Sequence, residues 1–166
     1  MSASVQTPAR VVVCASCGTR NRVPAVADGV PRCGSCRSPL SWVVDTSDAD
    51  FAAVADEATI PVLVDVWAPW CGPCRLVSPA LEKMATELAG KLKLVKVNAD
   101  EAPVLSRRFE VQAIPTLVLL HHGRVVSKRV GAAPVPVLRS WLTEHLPTDE
   151  AEHARAEDPS AGDAPR

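Results

Sequence analysis

Apolar and polar positions divide the chain into stretches of different character. Up to residue 41 the apolar residues are scattered. Val11–Val13 stops at Cys14, and Cys, Gly, Pro, Arg and Ser then dominate without helical spacing. Residues 1–10 read as a mobile terminus. From Trp42 the pattern becomes regular. SWVV (41–44) reads as a short strand, and Ser47 or Asp48 is placed to cap a helix running to about Glu57. PVLVDVW (61–67) is a buried strand interrupted by one acid. Leu76, Val77, Leu81, Met84, Ala85 and Leu88 then recur at helical spacing, and Gly90 supplies a left-handed stop. KLKLVKV (91–97) alternates as a strand, Ala102–Phe109 is helical, and TLVLL (116–120) is a further strand. His121-His122-Gly123 supplies a solvent-exposed hairpin turn into RVVSKRV (124–130). Val135, Leu138, Trp141, Leu142 and Leu146 mark the apolar face of a last helix. The order β-α-β-α-β-α-β-β-α predicts an α/β fold, a mixed central sheet flanked by helices.

Three segments follow. Residues 1–41 form a small Cys-rich module, 42–146 the body, and 147–166 an acidic tail too polar to fold, expected to be disordered. Charge follows the same division. Residues 1–42 carry five Arg and one Asp, whereas 147–166 carry six acids and two Arg, within a formal net charge of −1. The start, MSASVQTPAR, has no apolar run suited to a secretory leader, and no stretch approaches the ~20 residues of a membrane span. The expectation is a cytoplasmic protein without membrane attachment. In a reducing compartment Cys pairs are catalytic or metal-bound more often than structural.

All six Cys fall in C-x-x-C pairs. Cys71-Gly72-Pro73-Cys74 opens a helix, so free backbone N–H groups and a partial positive charge face the first sulfur and favour its thiolate, the nucleophilic form. Two intervening residues bring both sulfurs within bonding range. Gly72 permits close approach, and Pro73 lacks an N–H that an early helical position leaves unpaired anyway. The pair therefore reads as a redox-active disulfide; a zinc half-site is the competing reading. Cys14-x-x-Cys17 and Cys33-x-x-Cys36, fifteen residues apart, have the spacing of a Cys₄ zinc site. Four thiolates close the coordination sphere, so one structural zinc ion is expected. Two disulfides or a second redox centre are the alternatives.

D-V-W-A-P-W-C-G-P-C-R (65–75) resembles the active-site segment of the thioredoxin family, and K-V-N-A-D (96–100), A-I-P-T (113–116) and Gly131 fall where that family has matching segments. With the N-terminal Cys cluster, the likeness is greatest to bacterial thioredoxins bearing a zinc ribbon. The resemblance implies the thioredoxin fold and protein-disulfide reduction, with thioredoxin reductase and disulfide-bearing client proteins as partners. It implies that Cys71 attacks the client disulfide and Cys74 resolves the mixed disulfide. Asp65 matches the family's buried acid and Lys96 its partner lysine. Independently, a lone acid in a buried strand should have a raised pKa and could take the Cys74 proton. Pro115 matches a cis-proline opposite the sulfurs. Ile114, Pro115, Trp70 and Gly131 are expected to meet substrate, with Ile114 offering its backbone to an extended client segment. Trp67 is expected beneath the site, and Pro79 is expected to kink the helix. Glu110, the absence of Tyr and the acidic tail depart from the family pattern.

Weaker signals change the picture little. Arg20, Arg22, Arg32 and Arg37 could form a basic patch, but with Trp42 as the one nearby aromatic the nucleic-acid footprint is poor, and no such partner is expected. A monomer is expected. The functional alternative is a zinc-based redox sensor or chaperone, in which the N-terminal Cys cluster responds to oxidant.

Overall fold

A computed structural model describes residue 5 and residues 7–147 of the chain. The N-terminal segment forms an antiparallel hairpin, β1 (Arg10–Val13) against β2 (Arg20–Val23), followed by a second turn closed by a bridge between Arg32 and Pro39. The body is a five-stranded sheet built from β3 (Val43–Thr46), β4 (Val62–Trp67), β5 (Lys93–Asn98), β6 (Thr116–His121) and β7 (Arg124–Val130), in the order β3-β5-β4-β6-β7. β3 and β4 run parallel to β5, whereas β6 is antiparallel to both β4 and β7. The helices are α1 (Gly72–Glu87), α2 (Pro103–Arg108) and α3 (Val135–His145).

Central strands covered on both faces read as continuous apolar runs, and β4 is one. Alternate residues feed two cores. Val62, Val64 and Val66 pack with Val95, Val97, Phe51 and Val54 on one face, while Leu63 packs with Val77, Leu81, Leu138 and Trp141 from α1 and α3 on the other. Asp65 shares the second face, directly under α1. Burying Leu63, Leu94, Leu117 and Leu119 completely is worth roughly 1.5–3 kcal/mol each.

The N-terminal hairpin shares the first core. Cys14, Val23, Ala25, Cys33 and Leu40 are buried in one cluster with Phe51 and Val54. Two polar links reinforce the contact. The Trp42 indole N–H donates to Pro24 O at 2.9 Å, and Lys93 Nζ donates to Ala25 O and Val54 O at 2.6 Å each while lying 3.9 Å above the Trp42 ring. Burial pushes the Lys93 amine down to about 7, against carbonyls and a ring face that favour its charge.

Several expectations need correction. Neither Ser47 nor Asp48 caps the segment after β3, which is a single π-helical turn, Ala52–Asp56, without a side-chain cap. Asp48 instead accepts from Val104 N and Leu105 N and caps α2. Leu76 and Val135 lie outside the core, exposed by 80% and 41%. α1 stops at Glu87, three residues before Gly90, which does take a left-handed φ of 85°. KLKLVKV does contribute a strand, β5, beginning at Lys93, and Lys93 is buried between hairpin and body. His121 belongs to β6 and is buried; the turn is His122-Gly123, both at positive φ. Residues 7–10 are held in place, with Thr7 donating twice to Asp50 Oδ2 and Arg10 opening β1. Of the expected acidic tail, residues 148–166 lie outside the described residues.

Candidate redox centre and metal site

Cys71 is the N-cap of α1, in extended conformation, and its sulfur accepts the Cys74 N–H at 3.2 Å. With Pro73 contributing no donor, that N–H is an early free group of the helix, and a sulfur takes the place usually filled by a capping oxygen. The two Cys are disulfide-bonded across a Cα–Cα distance of 5.3 Å, and both are buried. Trp67 and Ile114 pack against them as half-buried neighbours.

The rim is uneven. Trp70 is 70% exposed, and its indole N–H donates to the Asp100 carboxylate at 3.0 and 3.2 Å, fixing an apolar plate beside the disulfide. The Ile114–Pro115 peptide bond is cis, and the Ile114 carbonyl lies 3.8 Å from Cys71 Sγ. Gly131 N–H donates to Pro115 O at 2.8 Å with φ at 89°, a conformation that a Cβ would strain.

Asp65 is wholly buried. One carboxylate oxygen accepts the Ser78 hydroxyl at 2.9 Å, and the other has no hydrogen-bond partner. Burial pushes the acid up to about 6, opposed by the Ser78 hydrogen bond and the Lys96 charge. Asp65 and Lys96 are neighbours in register, but the amine pairs with Glu82 Oε1 at 3.4 Å and lies 5.4 Å from the Trp67 ring centroid. Lys96 therefore acts on Asp65 through its field, without a direct ion pair. A groove of about 270 Å³ runs past these groups, lined by Trp67, Cys74, Ser78, Glu82 and Lys96 among others. Ser78, Glu82 and Asp100 were not singled out from the sequence. The signal for the first two was present, since Cys74, Ser78 and Glu82 recur every four residues and so share one helix face.

The second cluster is built from two matching turns. In the first, Gly18 N–H donates to Cys14 O at 2.9 Å; in the second, Arg37 N–H donates to Cys33 O at 3.0 Å. Gly18 and Arg37 both have left-handed φ, 76° and 67°. Asn21 ties the turns together: its amide donates to Thr19 O and to Cys33 Sγ, and its oxygen accepts Gly34 N–H. All four sulfurs lie within 4.8 Å of one another, with Cys14–Cys36 and Cys17–Cys33 at 3.6 Å. A tetrahedral zinc with Zn–S bonds of ~2.3 Å requires sulfur separations of about 3.8 Å. The four residues therefore fit such an ion. Backbone N–H groups of Cys36 and Ser35 lower the Cys33 thiol to about 6, favouring the thiolate a metal requires. No helix among the described residues is long and apolar enough to cross a membrane.

The thioredoxin family model matches residues 42–144. Thioredoxin from Haemophilus influenzae is 44% identical over 107 residues, covering 64% of this chain and all of that protein. Thioredoxin 1 from Nostoc sp. is 41% identical over a stretch of the same length and coverage. Thioredoxin C-3 from Corynebacterium nephridii is 35% identical over 139 residues, 82% of this chain and 95% of that protein, too long a match to fit without entering the Cys-rich N-terminal segment. Together with the mixed sheet and the disulfide at a helix start, these matches show that the chain belongs to the thioredoxin family and is a thiol–disulfide oxidoreductase.

Proposed function

We propose that this protein reduces disulfides of client proteins through the Cys71–Cys74 dithiol and is itself re-reduced by a thioredoxin reductase in the cytoplasm. The observation that carries this reading is the Cys71 sulfur seated at the N-cap of α1, within hydrogen-bond range of a helix N–H and bonded to Cys74. In the reduced protein the Cys71 thiolate attacks one client sulfur, breaking the client S–S bond and forming a mixed disulfide. Cys74 then gives its proton to Asp65, attacks Cys71 Sγ and closes the ring. The client leaves as a dithiol, two electrons richer.

Trp70, Ile114, Pro115 and Gly131 form the client platform in this reading. The exposed Trp70 face contributes apolar contact, and the backbone around Ile114 pairs with an extended segment, a mode that tolerates many sequences. Lys96 supports Asp65 electrostatically, while Gly72 and Pro73 shape the helix start. Residues 1–41 act as a zinc ribbon and 42–146 as the redox body. Bound by Cys14, Cys17, Cys33 and Cys36, zinc is structural, because four thiolates leave no open coordination position.

A sensor role for the ribbon draws on one observation, the exposure of Cys17 and Cys36. Two variants separate the readings, assayed by insulin-disulfide reduction and by zinc content. Cys71→Ser is expected to abolish turnover with zinc retained, and Cys14→Ser to lose zinc while keeping most turnover. If Cys14→Ser abolished turnover and Cys71→Ser did not, the reductase assignment would be wrong.

A further inference from the structure

Ser78 lies one helical turn beyond Cys74, and its side chain turns away from its own helix. A serine within a helix has a local acceptor four residues back, here the Cys74 carbonyl. Ser78 instead donates across to β4, reaching Asp65 Oδ2 at 2.9 Å. The acid it meets is wholly buried, with Oδ1 lacking any partner. An ionised carboxylate offers about four acceptor sites, so a single donor leaves it poorly satisfied and sensitive to that donor's loss.

The charged groups around Asp65 come from three elements. Lys96 on β5 favours the ionised acid, while Glu82 on α1 and Asp45 on β3 oppose it. Lys96 is engaged with Glu82, and Cys74 lines the same groove as Ser78. Among the described residues, Ser78 is the side chain in direct hydrogen-bond contact with the acid.

We propose that Ser78 is a positioning residue for the Cys74 step: its hydroxyl holds Asp65 by one oxygen, leaves the other to receive the thiol proton, and sets the pH at which that transfer works. The inference rests on the reading of Asp65 as the base. The Cys74 S–H bond breaks and an Asp65 O–H bond forms. The sulfur's electron pair then makes the Cys71–Cys74 bond as the bond from Cys71 to the client sulfur breaks. Ser78 keeps its own proton throughout, and Oδ2 remains an acceptor whether or not Asp65 is protonated. Without the hydroxyl, the buried carboxylate is harder to form and its midpoint must rise.

The test uses the full-length reduced protein in four forms: unmodified, Ser78→Ala, Ser78→Thr and Asp65→Asn. Asp65 ionisation is followed by carboxyl ¹³C NMR, and insulin reduction is measured in single turnover against pH. Ser78→Ala is expected to raise the NMR midpoint and the acid limb of the rate together by about one pH unit, with the rate restored above the new midpoint. Ser78→Thr is expected to bring both back. A merely structural contribution shifts the denaturation midpoint and leaves the pH profile in place, which would overturn the proposal, as would a threonine variant that keeps the alanine profile. If Asp65→Asn retains the acid limb, the assignment of the base itself fails. If it removes the limb while Ser78→Ala leaves it unmoved, only the role of Ser78 fails.

Discussion

Asp65 combines zero exposure with a carboxyl pushed up to about 6 from 3.8, and that combination fixes the sign of its effect on stability. Between those values the folded protein holds a proton that the unfolded chain has released. The contribution of Asp65 to stability therefore falls as pH rises from about 4 to about 6 and is level above, a loss of about 3 kcal/mol from this group. Asp65→Asn removes the charge and keeps most of the shape. It should raise the urea midpoint at about pH 7.5 and leave it nearly unchanged at about pH 4. A midpoint that rises equally at both pH values would contradict this account of the acid. If Asp65 is the base proposed above, the same variant should also slow turnover, trading chemistry for stability. This acid was legible in the sequence because a single carboxylate interrupts an apolar strand. Its hydroxyl partner was not, since Ser78 is 13 residues away on another element and only the packing of α1 over β4 brings them together.

At the scale of elements, caps and strand ends hold the site in place. The two N–H groups that Asp48 receives are the first free donors of α2, the helix that precedes the cis-proline loop. Asp48→Ala should cost about 1 kcal/mol and lower the thermal midpoint by a few degrees, with zinc content and the pH profile of reduction unaltered. Calorimetry paired with metal analysis checks this; a loss of zinc would show that Asp48 matters to the ribbon instead. The strands and long helices were readable from periodicity, down to the β4 boundaries within a residue or so. What periodicity missed shares one cause. Asp48 caps a helix 55 residues downstream of it, Lys93 sits in a strand covered by the hairpin, and His121 is paired in β6. Each depends on a contact distant in sequence, and local pattern carries no information about those. The Cys pairs were legible for the opposite reason, because both chemistries are encoded in spacings of two residues.

Across the whole molecule, hairpin and body bury their apolar residues together, so loss of the zinc proposed for the four sulfurs should be felt beyond them. Stripping zinc with a chelator is expected to loosen residues 10–40, hydrate the buried Trp42 and shift its fluorescence, while the Cys71–Cys74 pair keeps reducing insulin. Unchanged fluorescence after demonstrated zinc loss would mean that apolar burial alone holds the hairpin down. The disulfide sits at the end of β4 and the start of α1, whereas the hairpin covers the face carrying Phe51 and Val54, so the expected effect of metal loss on the hairpin need not reach the disulfide.

Lys93 puts a limit on how this chain can be trimmed. The Haemophilus influenzae protein is matched over its whole length by 107 residues, close to the span of the family match at 42–144, which invites a shortened version beginning at Trp42. Here such a cut would remove the Ala25 carbonyl that receives the ammonium group and unroof the tryptophan beneath it. The shortened protein would display a naked hydrophobic surface around Lys93, which would keep Val54 O and gain water, and any loss of solubility would come from the sheet's uncovered side, with the reactive dithiol itself intact.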